Sequence, residues 1–306
     1  MKLFFIVNPV SGGVNKEPFL KAAKSLCHTY HIQYKVFKTT GKNDEETVKK
    51  QLSEYKPDKV LSVGGDGTTL FSALALMDSK YPIGIIPLGS ANGMATELYV
   101  NPQPIEALKD VIMSNIETGL DILKVNDKYH TAHIGDVGVN AQIVKAYEND
   151  SKRGMAIYAK YFLDKLTQVK PFPITVRANN KVYNEMIFMV GICNSRKYGT
   201  GIPINIKGNP MDGKFEIVLI KSINANSLIK AGLSKFDESF FDSQSGMVLE
   251  TEYAEIEFDK PRLLQLDGEI IGKFKELKIE ILKGAVNLIT TNKNLNFTSL
   301  HKNTSK

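Results

Sequence analysis

The sequence predicts an α/β protein of two parts: an N-terminal parallel-sheet domain over residues 1–122 and a β-rich, sandwich-like domain over 123–287. Three observations predict it. Short apolar runs alternate with helix-period stretches through the first third of the chain, the pattern of a parallel sheet covered on both faces. That alternation stops near residue 122. Beyond it, most of the chain reads as short strands with turn residues between them, the mark of an antiparallel sandwich. A length of 306 residues suits two domains of ordinary size.

Leu3–Val7 reads as a buried strand. Pro18–Tyr30 follows as a helix whose apolar positions are Phe19, Ala22, Ala23 and Leu26. Gln33–Lys38 alternates as a strand, and Asp44–Glu54 is a polar helix anchored by Val48 and Leu52. Lys59–Val63 is a second buried strand, followed by a glycine turn and an apolar helix over Thr69–Met77. Ile83–Ile86 is the next strand and stops at Pro87. In the second part, Asn149–Val169 reads as a helix carrying Tyr158, Tyr161 and Phe162. The remaining strands are expected at Lys128–Ile134, Ile174–Ala178, Met186–Cys193, Lys214–Ile220, Ala254–Asp259, Arg262–Leu266, Glu269–Phe274 and Leu277–Ile281. The tail Thr291–Lys306, rich in Asn, Lys and Thr, reads as a fraying end.

Composition excludes several classes. An apolar fraction of 42% and a charged fraction of 24% are those of a globular chain rather than a disordered one. The formal charge of +6 favours anionic partners, yet only four of the 39 basic residues are Arg, a poor match to a nucleic-acid surface. No nucleic-acid partner is therefore expected. Cys27 and Cys193 form no CxxC pair, which suits a reducing cytoplasm. The apolar run within Met1–Val7 is too short for a signal-peptide core, and the longest apolar run, Met186–Cys193, is far below the roughly 20 residues of a membrane span.

Three glycine-bearing turns follow three predicted strands of the first domain: Asn8-Pro9-Val10-Ser11-Gly12-Gly13, Gly64-Gly65-Asp66-Gly67-Thr68, and Pro87-Leu88-Gly89-Ser90-Ala91-Asn92-Gly93. In an open parallel sheet all three fall at the carboxyl edge, where ligands bind. Glycines let backbone N–H groups approach a phosphate, and a helix beginning at Thr68 or Thr69 points its positive end there. Each turn alone is equally readable as a tight connection; three on one edge favour a phosphate site. There is no GxxxxGK[ST] loop, and Thr68-Thr69-Leu70 after Gly67 breaks the GxGxxG pattern. An acid inside a phosphate cradle repels its ligand unless a Mg²⁺ ion stands between them, which makes Asp66 a metal candidate. Downstream, Leu266-Asp267-Gly268-Glu269 has the form of a type I′ hairpin turn, and Met211-Asp212-Gly213 reads as a turn as well. The pairs His28/His31 and His130/His133 have no further ligand cluster near them and read as ordinary histidines.

Taken together, these pieces resemble the diacylglycerol kinase catalytic-domain family, which includes bacterial lipid kinases and sphingosine kinases. The likeness runs through NPVSGG at 8–13, GGDGT at 64–68, PLGSAN at 87–92, Leu120-Asp121-Ile122, Tyr198-Gly199-Thr200-Gly201, Asp212-Gly213 and Asp267-Gly268-Glu269. It implies an α/β ATP-binding domain over 1–122, a lipid-substrate domain over 123–287, a cleft between them, and a final segment, 288–306, that packs back on the first. It implies an ATP-dependent kinase that moves the γ-phosphoryl group to a lipid hydroxyl. In that scheme Asp267 is the general base, and Asp66 and Glu269 hold the catalytic Mg²⁺. Asn8, Ser11, Gly12, Gly65, Gly67, Thr68, Gly89 and Ser90 line the nucleotide. A second, structural Mg²⁺ falls to Asp212 with the backbone carbonyls of Asn209 and Lys214. The expected partner is a membrane lipid at the cytoplasmic face, diacylglycerol or sphingoid/ceramide-like, met by a protein peripheral to the membrane; assembly as a homodimer is left open.

The chain also departs from the pattern. Gly93 stands where the family usually has an Asp, and Gly89-Ser90-Ala91-Asn92 is closer to sphingosine-kinase-like members. The helix at Asn149–Val169, with Lys152, Arg153, Lys160 and Lys165 beside its aromatics, is the candidate mouth of the lipid site; the bland alternative for those aromatics is core packing. A soluble NAD kinase, which shares the GGDGT turn, and a non-catalytic nucleotide or lipid sensor are the rival readings.

Overall fold

A computed structural model describes residues 1–77, 79–138, 170–198, 204–205, 207–222 and 246–303. The helix expected at Asn149–Val169, its aromatic and basic residues, and Gly199–Gly201 lie outside the described residues. The chain divides into two compact units, Met1–Asp121 with Lys283–Lys306, and Ile122–Leu282.

The first unit is built on a parallel sheet. Its strands are β1 (Lys2–Val7), β2 (Gln33–Lys38), β3 (Lys59–Gly64) and β4 (Ile83–Pro87). They lie in the order β2-β1-β3-β4, each neighbour parallel, and β14 (Glu269–Thr290) joins β4 in parallel with Leu288 opposite Ile83. Between the strands run α1 (Glu17–Thr29), α2 (Asp44–Tyr55), α3 (Asp66–Leu76), α4 (Gly93–Glu97) and α5 (Pro104–Met113). Helices cover both faces because every β1 side chain from Leu3 to Val7 is buried. On one face Leu3, Phe5 and Val7 pack with Phe19, Leu20 and Ala23 of α1 and with Leu108 and Val111 of α5. On the other, the Phe4 ring lies 6.3 Å from that of Tyr55 in α2.

The chain passes from β1 to β2 on one side and then to β3 on the other. The carboxyl ends of β1 and β3 are therefore a topological switch point, where an open sheet leaves a crevice.

The second unit is antiparallel. Strands β12 (Gly246–Thr251), β11 (Phe215–Ile220), β10 (Met189–Cys193), β7 (Ile134–Gly138), β13 (Tyr253–Leu266) and β14 follow one another in space. The hairpin of β8 (Phe172–Ala178) and β9 (Lys181–Ile187) attaches to β13. Strands β5 (Ile116–Val125) and β6 (Tyr129–Thr131) form a further hairpin. Val176, Ile192, Phe215, Ile217, Ile256 and Leu277 are among the residues of its one large apolar core.

Several expected elements are corrected. Ala254–Asp259 and Arg262–Leu266 are one strand, β13, with a register shift between Glu257 and Arg262; Pro261, which has no N–H to donate, sits in the irregular stretch. Glu269–Phe274 and Leu277–Ile281 are likewise parts of the single strand β14. Met186–Cys193 is two strands that part at Phe188, whose N–H turns to the Ile220 carbonyl at 2.8 Å. Lys128–Ile134 divides between β6 and β7. The tail does not fray from Thr291: Leu295–Asn303 is a helix, α6, capped by the buried Asn294 side chain, which accepts the N–H groups of Asn296 and Phe297. Helices α4 and α5 and strands β5 and β12 stand where the sequence reading assigned nothing.

Candidate active site

In the first unit the three glycine turns meet one another. The Ser11 hydroxyl accepts the Gly65 N–H at 2.9 Å, and the Leu88 N–H reaches the Gly64 carbonyl at 2.8 Å. Gly12 has φ +62°, and a Cβ there would lie 2.6 Å from the Ser90 nitrogen. Gly65 and Gly89 face each other so closely that a Cβ on Gly89 would sit 2.8 Å from the Gly65 nitrogen. These glycines are thus required for turn-on-turn contact, before any ligand is considered. Gly67 differs: no atom lies within 4 Å of where its Cβ would be. Ser90 is exposed at the tip of its turn, while the Asn92 side chain braces that turn by accepting the Gly89 N–H at 2.8 Å.

Beside these turns is a groove of about 500 Å³, within the range of small-molecule sites, lined by Asn8, Thr39, Thr40, Gly67, Thr68 and Phe71. Three of these, Asn8, Gly67 and Thr68, were expected from sequence. Thr39, Thr40 and Phe71 were missed, although Thr39-Thr40-Gly41 follows β2 at the same sheet edge, and the rule that placed the other turns would have found it. Asp44 holds that fourth turn together by accepting the N–H groups of Thr40 and Gly41 and the Thr40 hydroxyl. Burial pushes its carboxyl up, but these donors outweigh burial and hold it below the usual range.

Two features suit the groove to an anion, and a buried lysine shapes the first turn. Helix α3 begins at Asp66, two or three residues earlier than expected, and no side chain caps it, so its first-turn N–H groups are open. The Thr68 hydroxyl, on a residue 3% exposed, is buried with no hydrogen-bond partner among the described residues. Lys16, also 3% exposed, gives its ammonium to the carbonyls of Ser11 and Val14, at 2.8 Å for the latter, and braces the first turn from below. Burial lowers its pKa. Nothing in the spacing of NPVSGG marks Lys16, because its importance comes from being folded inward.

Asp66 takes a specific pose. One carboxylate oxygen accepts the Gly93 N–H at 2.9 Å and the other the Met94 N–H at 2.8 Å, so the side chain spans from α3 to the start of α4. The residue that replaces the family Asp therefore meets Asp66 through its backbone.

The second unit holds the other expected acids. The Asp267 carboxylate accepts the Thr131 hydroxyl and the N–H groups of Ala132, His133 and Ile134 at 3.1–3.2 Å. Donors of this kind favour the charged carboxylate and fix its orientation. Asp267 sits at φ +49° and Gly268 at +87°, as a type I′ hairpin turn requires, so the turn reading and a chemical role for its side chain coexist. Glu269 is exposed at the start of β14. Behind the turn, the Gln265 side-chain Oε1 accepts the Gly268 N–H at 2.8 Å, while its side-chain NH₂ donates to the fully buried Asp136, which also accepts the Tyr198 hydroxyl at 2.9 Å. The His133 ring is buried as well, and its Nε2 has no partner among the described residues.

At the other candidate metal site, the Asp212 carboxylate accepts the Lys214 N–H at 3.0 Å. The Asn209 carbonyl accepts two N–H groups, from Met211 at 2.7 Å and Asp212 at 3.3 Å. Both lone pairs of that oxygen are engaged by backbone N–H groups, so a metal there would have to displace one of them. Nearby, Asn205 donates to Glu216 at 2.6 Å, and burial raises the Glu216 carboxyl from 4.5 to about 7.

A parallel-sheet unit with an anion-suited groove at its switch point, joined to an antiparallel unit presenting a fixed carboxylate, has the parts of a phosphotransferase. Residues 2–125 match the diacylglycerol kinase catalytic domain, and residues 134–290 match the YegS C-terminal NAD kinase beta sandwich-like domain. The chain belongs to this family of lipid kinases, whose members use ATP. It is 23% identical over 282 residues to a diacylglycerol kinase of Bacillus subtilis, covering 87% of this chain and 89% of that one. It is 26% identical over 236 residues to a diacylglycerol kinase of Staphylococcus saprophyticus, covering 73% and 74%. Among solved structures, a diacylglycerol kinase from Bacillus anthracis str. Sterne shares the fold with a TM-score of 0.71 at 21% identity, over 96% of this chain and 98% of that chain.

Proposed function

We propose that this protein is an ATP-dependent lipid kinase that transfers the γ-phosphoryl group to the hydroxyl of a membrane lipid, diacylglycerol or a sphingoid/ceramide-like alcohol. The observation that carries the reading is the set of interlocked turns around the groove at the switch point. Asn8, Ser11, Gly12, Gly65, Gly67, Thr68, Gly89 and Ser90 bind the nucleotide, directly or by shaping its turns. Open N–H groups of α3 and the Thr68 hydroxyl meet the phosphates, and Phe71 supplies an apolar wall.

Phosphoryl transfer needs positioning and charge neutralisation more than covalent help. Mg²⁺, when bound, supplies that neutralisation. One or two carboxylates plus phosphate oxygens are its usual ligands, and Asp66 and Glu269 are the carboxylates we assign to it. Asp267 orients the lipid hydroxyl and takes its proton as the O–P bond forms. Among the described residues no helix is long and apolar enough to cross a membrane; the lipid substrate is met at the cytoplasmic face. The net charge of +6 adds weak, salt-screened attraction to anionic lipid.

A second reading, an NAD kinase-like phosphotransferase, is favoured by the description of the domain matched at residues 134–290. One experiment separates them: transfer of label from [γ-³²P]ATP with Mg²⁺ into a total lipid extract, run beside NAD⁺. Label in a lipid is expected, and label in NADP⁺ alone would overturn the lipid reading. Asp267→Asn is expected to abolish transfer while ATP still binds. That variant also sets an NH₂ group against backbone N–H donors and costs about 2 kcal/mol of stability. Thr131→Val, which removes one of the same donors, is the stability control and is expected to retain turnover.

A further inference from the structure

Helix α4 is five residues long, little more than one turn, and a helix of that length has no stability of its own. Its last carbonyls must all be satisfied if it is to stay buried. Three are satisfied locally. The Met94 carbonyl accepts Leu98 N–H at 2.9 Å, that of Ala95 accepts Val100 N–H at 2.8 Å, and that of Thr96 accepts Tyr99 N–H at 3.1 Å. The fourth, Glu97, receives the Asn296 side-chain amide at 2.9 Å, from 199 residues further along the chain.

Asn296 is in turn firmly held. It lies in the first turn of α6 and is 7% exposed. Its own N–H donates to the side-chain oxygen of Asn294 at 3.0 Å, and Asn294, fully buried, donates to the Thr290 hydroxyl at 2.9 Å at the end of β14. The far end of α4 is therefore pinned to the strand and helix that return to the first unit. Its near end, Gly93 and Met94, carries the two N–H groups that hold the Asp66 carboxylate.

We propose that Asn296 is a positioning residue for Asp66. The C-terminal helix sets α4, and α4 sets the carboxylate of Asp66, the residue before the groove-lining Gly67 and Thr68. The importance of this for turnover rests on the reading of Asp66 given above; the mechanical coupling does not. It explains why a polar tail folds into a capped helix with two buried asparagines, and why α4 can be so short.

The test begins with hydrogen exchange on the ligand-free full chain. Asn296→Leu, which fills similar space without a donor, is expected to speed exchange of the Gly93 and Met94 amides at least tenfold while amides of β1 and β3 keep their rates. Unchanged exchange at those two amides overturns the proposal. Should Asn296→Leu fail to fold, Asn296→Ser, which leaves room for water at the Glu97 carbonyl, is read in the same way. Calorimetry with ADP follows. Asn296→Leu is expected to weaken binding about tenfold in Mg²⁺ and leave binding in EDTA unchanged, and adding it to Asp66→Asn is expected to give no further loss. Equal losses with and without Mg²⁺ overturn the positioning role. If exchange speeds up but Asp66→Asn binds ADP with Mg²⁺ like the wild type, the coupling holds and the reading of Asp66 as a metal ligand fails.

Discussion

The two units solve the problem of holding a charged group in opposite ways. In the first, the candidate site is made of backbone. Turns after β1, β3 and β4 touch through Gly12, Gly65 and Gly89, and the groove beside them is open. In the second, the candidate acid is held by buried side chains, with Thr131 on its carboxylate and Gln265, Asp136 and Tyr198 behind its turn; Asn205 and the β11 residue Glu216 form a separate buried pair. A site built from backbone tolerates changes of side chain but not added volume. A site built from buried side chains tolerates little change of polarity, because each group left unpaired costs its full desolvation.

The contrast is most easily broken at the glycines. Gly89→Ala forces a Cβ against the Gly65 backbone and is expected to cost about 3 kcal/mol or more, read as a shift of the urea midpoint. Gly67→Ala, with open space around its Cβ and a place in the first turn of α3, is expected to raise stability by about 0.5–1 kcal/mol while weakening ATP binding. If both variants destabilise alike, the close contact between the turns is not what sets the first unit apart.

The second unit is tested through pH. Glu216, raised from 4.5 to about 7 by burial, binds its proton more tightly folded than unfolded. Its contribution favours the folded state fully below about pH 4.5 and is lost as pH rises through 7. The difference amounts to about 3 kcal/mol at most. Wild type is expected to lose that stability relative to Glu216→Gln between pH 5 and pH 8, and parallel curves for the two proteins would remove the buried carboxyl from the account. A modest effect belongs to Ser11→Ala, which removes one side-chain acceptor from a backbone-built site and is expected to cost about 1 kcal/mol in chemical denaturation.

Legibility follows the same division. The parallel sheet was readable because β1, β3 and β4 bury both faces as apolar runs, while the edge strand β2 alternates and coincides with Gln33–Lys38. The glycine turns were readable because glycine is used where chains must approach closely. Lys16, Asp136 and Asn296 were not, because a buried polar residue has the same letter as an exposed one. Strands β13 and β14 were read in pieces, since a register shift and a change of partner look like a turn in one dimension.

The sequence by itself determined the order of elements from β1 to β4, the sheet edge that carries the turns, and the family to which the chain belongs, because those depend on local periodicity and on residues close together in the chain. Only the tertiary structure decided that the glycines serve first to lock three turns together, that Asp66 reaches to α4, and that Asn296 closes the helix end 199 residues away. The reason is physical: hydrogen bonds between distant segments are set by which buried donors lack a local partner, and that is known only once the chain has folded.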